Sequence, residues 1–120
     1  MKREKIVITG LGVLAPNGNS VQDFWDSLVN GKSGIDAITY FDSSNHRVKI
    51  AGELKDFRPE DKIDPKELRK LDPFSTYALI ATDEAVTMAG LNPEDLDLDR
   101  VGVTIGTGVG GIQTLEEQHS

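Results

Sequence analysis

Val101-Gly102-Val103-Thr104-Ile105-Gly106-Thr107-Gly108-Val109-Gly110-Gly111 is the stretch on which the reading of this chain turns. Its first half is apolar and rich in β-branched residues, which favour strands. Its second half is a loop with four glycines in six positions, Gly106 to Gly111. A strand running into a glycine-rich loop is where α/β proteins bring backbone close to a ligand. Nine residues further on stands Ser120, the last residue.

Working outward, Lys5–Leu14 is the other strong strand candidate, apolar on both faces as an inner strand would be. Pro16-Asn17-Gly18 ends it with turn residues. Ser20-Val21-Gln22-Asp23 reads as a helix start, with a hydroxyl for a free N–H and an acid near the positive helix end. Val21, Phe24, Trp25, Leu28 and Val29 follow helical spacing, and Gly31 suits a left-handed stop. Lys32–Phe57 is irregular, with a short edge strand expected within Val48–Leu54. Asp64-Pro65 and Asp72-Pro73 pair a capping acid with proline at the first helical position. They open a short helix at Pro65–Lys70 and a long one at Pro73–Ala89. Apolar and small residues surround much of the long helix, so burial on more than one side is expected. Gly90 ends it, Asn92-Pro93 begins a turn, and Ile112–Ser120 begins another helix. The order of elements predicts an α/β protein with parallel strands and covering helices.

A length of 120 residues allows one domain. The net charge of −7 argues against nucleic acid, because phosphate contacts need a basic face. The absence of cysteine excludes a disulfide framework, a thiolate metal site and a cysteine nucleophile within this sequence. The start, Met1-Lys2-Arg3-Glu4-Lys5 before Ile6–Ala15, has the outline of a secretory signal. Glu4 in its basic part and Thr9, Gly10 and Gly12 in its apolar part favour a buried strand instead. No run approaches the roughly 20 apolar residues of a membrane span. A cytoplasmic protein with no membrane partner is expected.

Gly10-Leu11-Gly12-Val13-Leu14-Ala15 and Gly106-Thr107-Gly108-Val109-Gly110-Gly111 both fit the dinucleotide-binding pattern. That pattern works when the loop opens a helix whose free N–H groups hold a pyrophosphate. The first match lacks the helix, since the next one starts only near Ser20. The second has its strand and helix, but the sequence stops before the position, about 20 residues on, where a ribose-binding acid would stand. Glycines for tight strand–helix packing is the stronger reading. Asp95-Leu96-Asp97-Leu98-Asp99 opens like a calcium loop, yet Arg100 stands where glycine is needed and Gly106 where the bidentate glutamate belongs. His46 and His119 have no ligand or base spacing around them, and neither a metal nor another cofactor is expected. Lys66, Arg69 and Lys70, at i, i+3 and i+4, form one basic face. Such a face is most often simply solvated, but on an acidic protein it can also steer an acidic partner.

Taken together, these segments resemble the N-terminal part of the β-ketoacyl-acyl-carrier-protein synthases, the bacterial synthase II type above all. The resemblance rests on Ile6-Val7-Ile8-Thr9-Gly10-Leu11-Gly12 with Pro16 and Gly18, and on Phe24-Trp25 with Leu28, Gly31 and Ser33-Gly34-Ile35. It continues through Ala51-Gly52, Lys55-Asp56-Phe57 and Arg69-Lys70-Leu71-Asp72, then Glu84-Ala85, Ala89-Gly90-Leu91 and the loop Gly106–Gly111. Each piece is weak alone; their common order across nearly the whole chain is specific. Ala15 and Asn17 depart slightly from the usual residues around Pro16.

The resemblance implies an α/β, thiolase-like fold, a mixed sheet covered by helices, of which residues 1–120 are an incomplete N-terminal part. It implies a homodimer several times longer per subunit that elongates fatty acids. In that family a cysteine accepts an acyl chain from acyl carrier protein. Malonyl carrier protein then loses CO₂, and the carbanion attacks the thioester. Two histidines and a lysine support this, and neither His46 nor His119 matches them. The segment alone is therefore expected to be inactive, as a piece of a longer parent. Two assignments carry over. Lys66, Arg69 and Lys70 match the cluster that docks acyl carrier protein, and Gly108 and Val109 match the loop bordering the acyl pocket. A small dinucleotide-binding module and a non-catalytic carrier-protein binder are the alternatives; stabilisation by NAD would mark the first, binding lost on charge reversal of the basic face the second.

Overall fold

A computed structural model describes residues 4–119, so Met1-Lys2-Arg3, the opening of the signal-like start, and Ser120 lie outside the described residues. Two compact units divide the chain. One joins the residues up to Gly12 with those from Asp72 onward; the other is Val13–Leu71.

In the Val13–Leu71 unit, helix α1 spans Val21–Val29. The Ser20 hydroxyl caps it, accepting from the Asp23 amide at 3.1 Å. Gly31 follows with φ +63°, the left-handed stop that its position suggested. A hairpin pairs β1, Ile35–Ala37, antiparallel with β2, Ile50–Gly52, in the register Ile35–Gly52, Asp36–Ala51 and Ala37–Ile50. Strand β2 falls inside the expected edge strand. Strand β1 lies in the stretch read as irregular, because three residues are too short for alternation to show. Glu53 latches the hairpin: its carboxylate accepts from the Thr39 hydroxyl at 2.7 Å and from the Thr39 amide at 3.0 Å. Helix α2, Pro65–Leu68, is capped by the Asp64 carboxylate, which accepts from the Lys66 amide at 2.7 Å.

In the other unit, helix α3 runs Pro73–Ala89 for 17 residues, and Gly90 ends it at φ +63°. Gly10 and Gly12 press the first apolar run against it. A Cβ on Gly12 would lie 1.7 Å from the Ala81 carbonyl oxygen, and one on Gly10 would lie 2.0 Å from that of Ala85. Gly10 and Gly12 thus pack closely on a helix, whereas nothing lies within 4 Å of a Cβ on Gly106, Gly108 or Gly110, so the packing reading does not hold for those three glycines of the second run. The Leu11 amide donates to Met88 Sδ at 3.4 Å, a weak bond across the same contact. Short 3-10 turns at Pro93–Asp95 and Leu98–Arg100 lead to helix α4, Ile112–His119.

Two expectations are corrected. The sheet of parallel strands does not form among the described residues: the hairpin is the sheet they contain, and it is antiparallel. Neither Lys5–Leu14 nor Arg100–Thr107 enters a ladder. An inner strand needs hydrogen-bonding neighbours on both edges and a layer on each face. The described residues give the first run α3 and no neighbouring strand, and give the second run no ladder, leaving Ile6 98% and Val103 78% exposed. Helix α3 likewise is not buried on more than one side. Among the described residues only Thr76 is fully enclosed, at 5%, while Leu79 and Met88 stay about half exposed.

Two outcomes follow. The chain on its own should bind an apolar-surface dye and self-associate with rising concentration in analytical ultracentrifugation; a dye-silent monomer with a cooperative melt would contradict the exposed runs. The second concerns acid. The Thr39 hydroxyl, then the Thr39 and Tyr40 amides, hold the Glu53 carboxyl below its ordinary value of 4.5. A carboxyl lowered by folding adds stability above its unfolded pKa and loses it as the pH falls through the folded one. The Thr39 amide resonance should therefore titrate with a midpoint below 4.5, and Glu53→Gln should abolish that titration.

Candidate functional site

The basic face is built on a very short helix. Proline at its first position fixes φ and lacks an N–H that would otherwise be orphaned, while Asp64 satisfies the next. Lys66 lies within α2. Arg69 and Lys70 lie in the tightened turn that follows, where the Lys70 amide donates to the Glu67 carbonyl at 2.9 Å and the Leu71 amide to that of Leu68 at 3.1 Å. All three side chains are exposed. Lys70 Nζ is 2.8 Å from Glu67 Oε1, an ion pair within the turn. Among the described residues neither Lys66 nor Arg69 has such a carboxylate partner. Their charge is fully available, whereas that of Lys70 is partly neutralised by its own neighbour.

The glycine loop belongs to the other unit. Gly108 and Val109 form a bend before α4, with Val109 73% exposed and nothing within 4 Å of a Cβ placed on Gly108. The last two glycines are constrained. Gly110 has φ +74°, a conformation that side chains with a Cβ rarely adopt, and its amide donates to Thr107 Oγ1 at 3.1 Å. A Cβ on Gly111 would lie 2.6 Å from Asp72 Oδ2. Asp72 Oδ1 also accepts from the Thr114 hydroxyl. Sequence reasoning placed Asp72 only as a helix cap; a contact across 42 residues has no local periodicity to announce it.

The hairpin carries a groove of about 380 Å³ lined by Asp36, Thr39, Ala51, Glu53 and Lys55 among others. Its polar groups are already engaged with one another. Asp36 is held below the usual carboxylate range by the Ala37 amide and by Lys55, whose Nζ is 3.1 Å away. Glu53 is saturated by Thr39 and Tyr40. Such a groove offers binding shape and no poised nucleophile or base. His46 meets the Phe41 ring edge-on at 5.3 Å and joins no catalytic pair. Among the described residues, no three side chains of metal-ligating type gather, and no helix is long and apolar enough to cross a membrane.

Residues 3–120 match the family model for the β-ketoacyl synthase N-terminal domain. The chain is 47% identical over 118 residues to a 3-oxoacyl-[acyl-carrier-protein] synthase 2 of Staphylococcus aureus, covering 98% of this chain and 28% of the relative. It is 40% identical over 120 residues to the synthase 2 of Synechocystis sp., covering all of this chain and 29% of the relative. The chain thus spans less than a third of the length of the curated relatives it matches. Among solved structures, the ishigamide ketosynthase/chain length factor superposes with TM-score 0.78 at 34% identity, over 94% of this chain and 29% of the other. A type II PKS acyl-carrier protein in complex with its ketosynthase, bound to the hexaketide, gives TM-score 0.75 at 29% identity, over 94% and 30%. These ketosynthases give the fold as an N-terminal piece of the thiolase-like α/β architecture, and they do not favour a dinucleotide-binding module. With a family model matched along nearly its whole length and relatives this similar, the chain belongs to the β-ketoacyl synthase family, through that family's N-terminal domain.

Proposed function

We propose that this chain is the N-terminal segment, a single domain part spanning residues 1–120, of a 3-oxoacyl-acyl-carrier-protein synthase acting in fatty-acid elongation. The observation that carries the reading is 47% identity over 98% of the chain to a synthase 2. In the whole enzyme a cysteine thiolate takes the acyl group from its carrier thioester. Malonyl carrier protein loses CO₂, and its carbanion attacks the acyl thioester. The new C–C bond forms as the thiolate leaves. With no cysteine among its 120 residues, this segment supplies neither the nucleophile nor, at His46 and His119, the supporting histidines; its share is recognition. The whole enzyme is a cytoplasmic homodimer in this reading.

Lys66, Arg69 and Lys70 receive the acidic helix of acyl carrier protein. Three exposed cations within five residues on a chain of net charge −7 support this, since long-range steering needs a local positive field. Lys66 and Arg69 carry most of it, because Glu67 competes for Lys70. Gly108 and Val109 border the acyl pocket, where the absence of a side chain at 108 leaves room beside the chain and the valine meets it. The exposure of Val109 here supports that role, as an apolar side chain awaiting apolar cover.

In a full-length synthase bearing this segment, replacing Lys66, Arg69 and Lys70 with Glu should raise KM for acyl carrier protein by about tenfold or more, with kcat little changed. Glu67→Gln should do the opposite, tightening binding a few-fold at low salt by freeing Lys70. Titration at two salt concentrations reads both, and equal affinity across all variants would remove the docking assignment. Val109→Trp should shorten the products without slowing the first condensation; unchanged product length would remove the pocket assignment.

A further inference from the structure

Among the described residues, three elements use a polar side chain to cap their own first turn. Ser20 accepts from the Asp23 amide, Asp64 from the Lys66 amide and Asn92 from the Glu94 amide. Asp72 stands in the same position before α3, the longest helix, yet its side chain caps nothing there. Its backbone does the local work: the Asp72 carbonyl accepts from the Thr76 amide at 3.0 Å and from the Thr76 hydroxyl at 3.2 Å. Thr76 is the enclosed residue of α3, so Asp72 is held by the most sheltered point of that helix. The carboxylate is thereby free to reach elsewhere. One oxygen accepts the Thr114 hydroxyl, and the carboxyl group packs so closely on Gly111 that a Cβ there would lie 2.6 Å from Oδ2. A hydrogen bond to a charged acceptor is among the stronger neutral–ionic contacts a surface can make.

We propose that Asp72 is a positioning residue for the glycine loop: its carboxylate accepts the Thr114 hydroxyl and packs against Gly111, tying the start of α4 to the start of α3, and so sets where Gly108 and Val109 stand. The loop has two anchored sides. On one, an internal turn closes as Thr107 Oγ1 accepts the Gly110 amide; on the other, Asp72 accepts the Thr114 hydroxyl and crowds Gly111. Among the described residues, Gly108 and Val109 make no hydrogen bond of their own, so their place is inherited from those anchors. Glycine at 111 is then required by the carboxylate rather than by its backbone angle, since φ there is not in the left-handed region. The consequence for acyl-chain length rests on the pocket reading of Val109 given above; the anchoring itself does not.

The test uses a full-length synthase bearing this segment, with Asp72→Ala, Thr114→Val and Thr114→Ser. Amide hydrogen exchange across Gly108–Thr114 should quicken about tenfold in the first two and stay slow in the third, as expected for loss of a charged hydrogen bond and its retention by serine. Thr114→Val keeps the side-chain shape, so it reads the bond even where Asp72→Ala weakens α3. KM for long acyl thioesters should rise in the first two while kcat for the shortest stays within about twofold. Unchanged exchange in both variants overturns the proposal. So does quickened exchange with unchanged KM for long acyl thioesters, provided Val109→Trp shifts product length, because Asp72 would then be a structural tie alone. If Val109→Trp shifts nothing while exchange still quickens in Asp72→Ala and Thr114→Val, the anchor stands and the pocket assignment falls.

Discussion

A strand that is apolar on both faces makes four demands at once: a hydrogen-bonded neighbour on each edge and a packed layer on each face. Two runs of this chain, Lys5–Leu14 and Arg100–Thr107, carry that demand in their composition. The first receives one layer, α3, and the second reaches the loop before α4 without a ladder. The consequence runs through the whole accessible surface. Isoleucines and valines that would form a core stand in water, and the enclosed residue of α3 is a threonine. Among the described residues, order comes from local devices, namely helix caps and left-handed glycines, rather than from a hydrophobic centre.

Those devices were the most legible part of the sequence. Ser20 and Asp64 are caps by residue type and position, and each accepts the bond its spacing suggests; Asn92, read as opening a turn, caps one. Gly31 and Gly90 mark helix ends that the backbone confirms with positive φ. Helix α3 begins and ends where Asp72-Pro73 and Gly90 placed it. Local chemistry writes such signals within four residues of where they act. The hairpin was half legible: β2 carried an edge-strand pattern, whereas β1, with Asp36 at its centre, is fixed by the Thr39–Glu53 bonds across 14 residues.

Strand pairing was the illegible part. Alternation and β-branching state that a run is able to be a strand; they do not state which partner completes it. The same gap hid the use of Asp72: the sequence marks it as a capping acid, yet its carboxylate caps nothing on α3 and reaches Thr114 instead. The candidate residues divide along this line. Lys66, Arg69 and Lys70 could be grouped from spacing because they share one turn. The anchoring of the loop around Gly108 and Val109 could not, because half of it comes from the start of a different helix.

The contact of Gly10 and Gly12 with α3 has an evolutionary consequence. The atoms they meet first are the carbonyl oxygens of Ala85 and Ala81, which every amino acid at those positions possesses. Shrinking a facing side chain, the usual second-site repair for an oversized neighbour, creates no space against a main-chain oxygen. Positions 10 and 12 are therefore predicted to resist compensation. Homologous chains should vary freely along the outward side of this helix while no partner change on it ever licenses a side chain at either glycine.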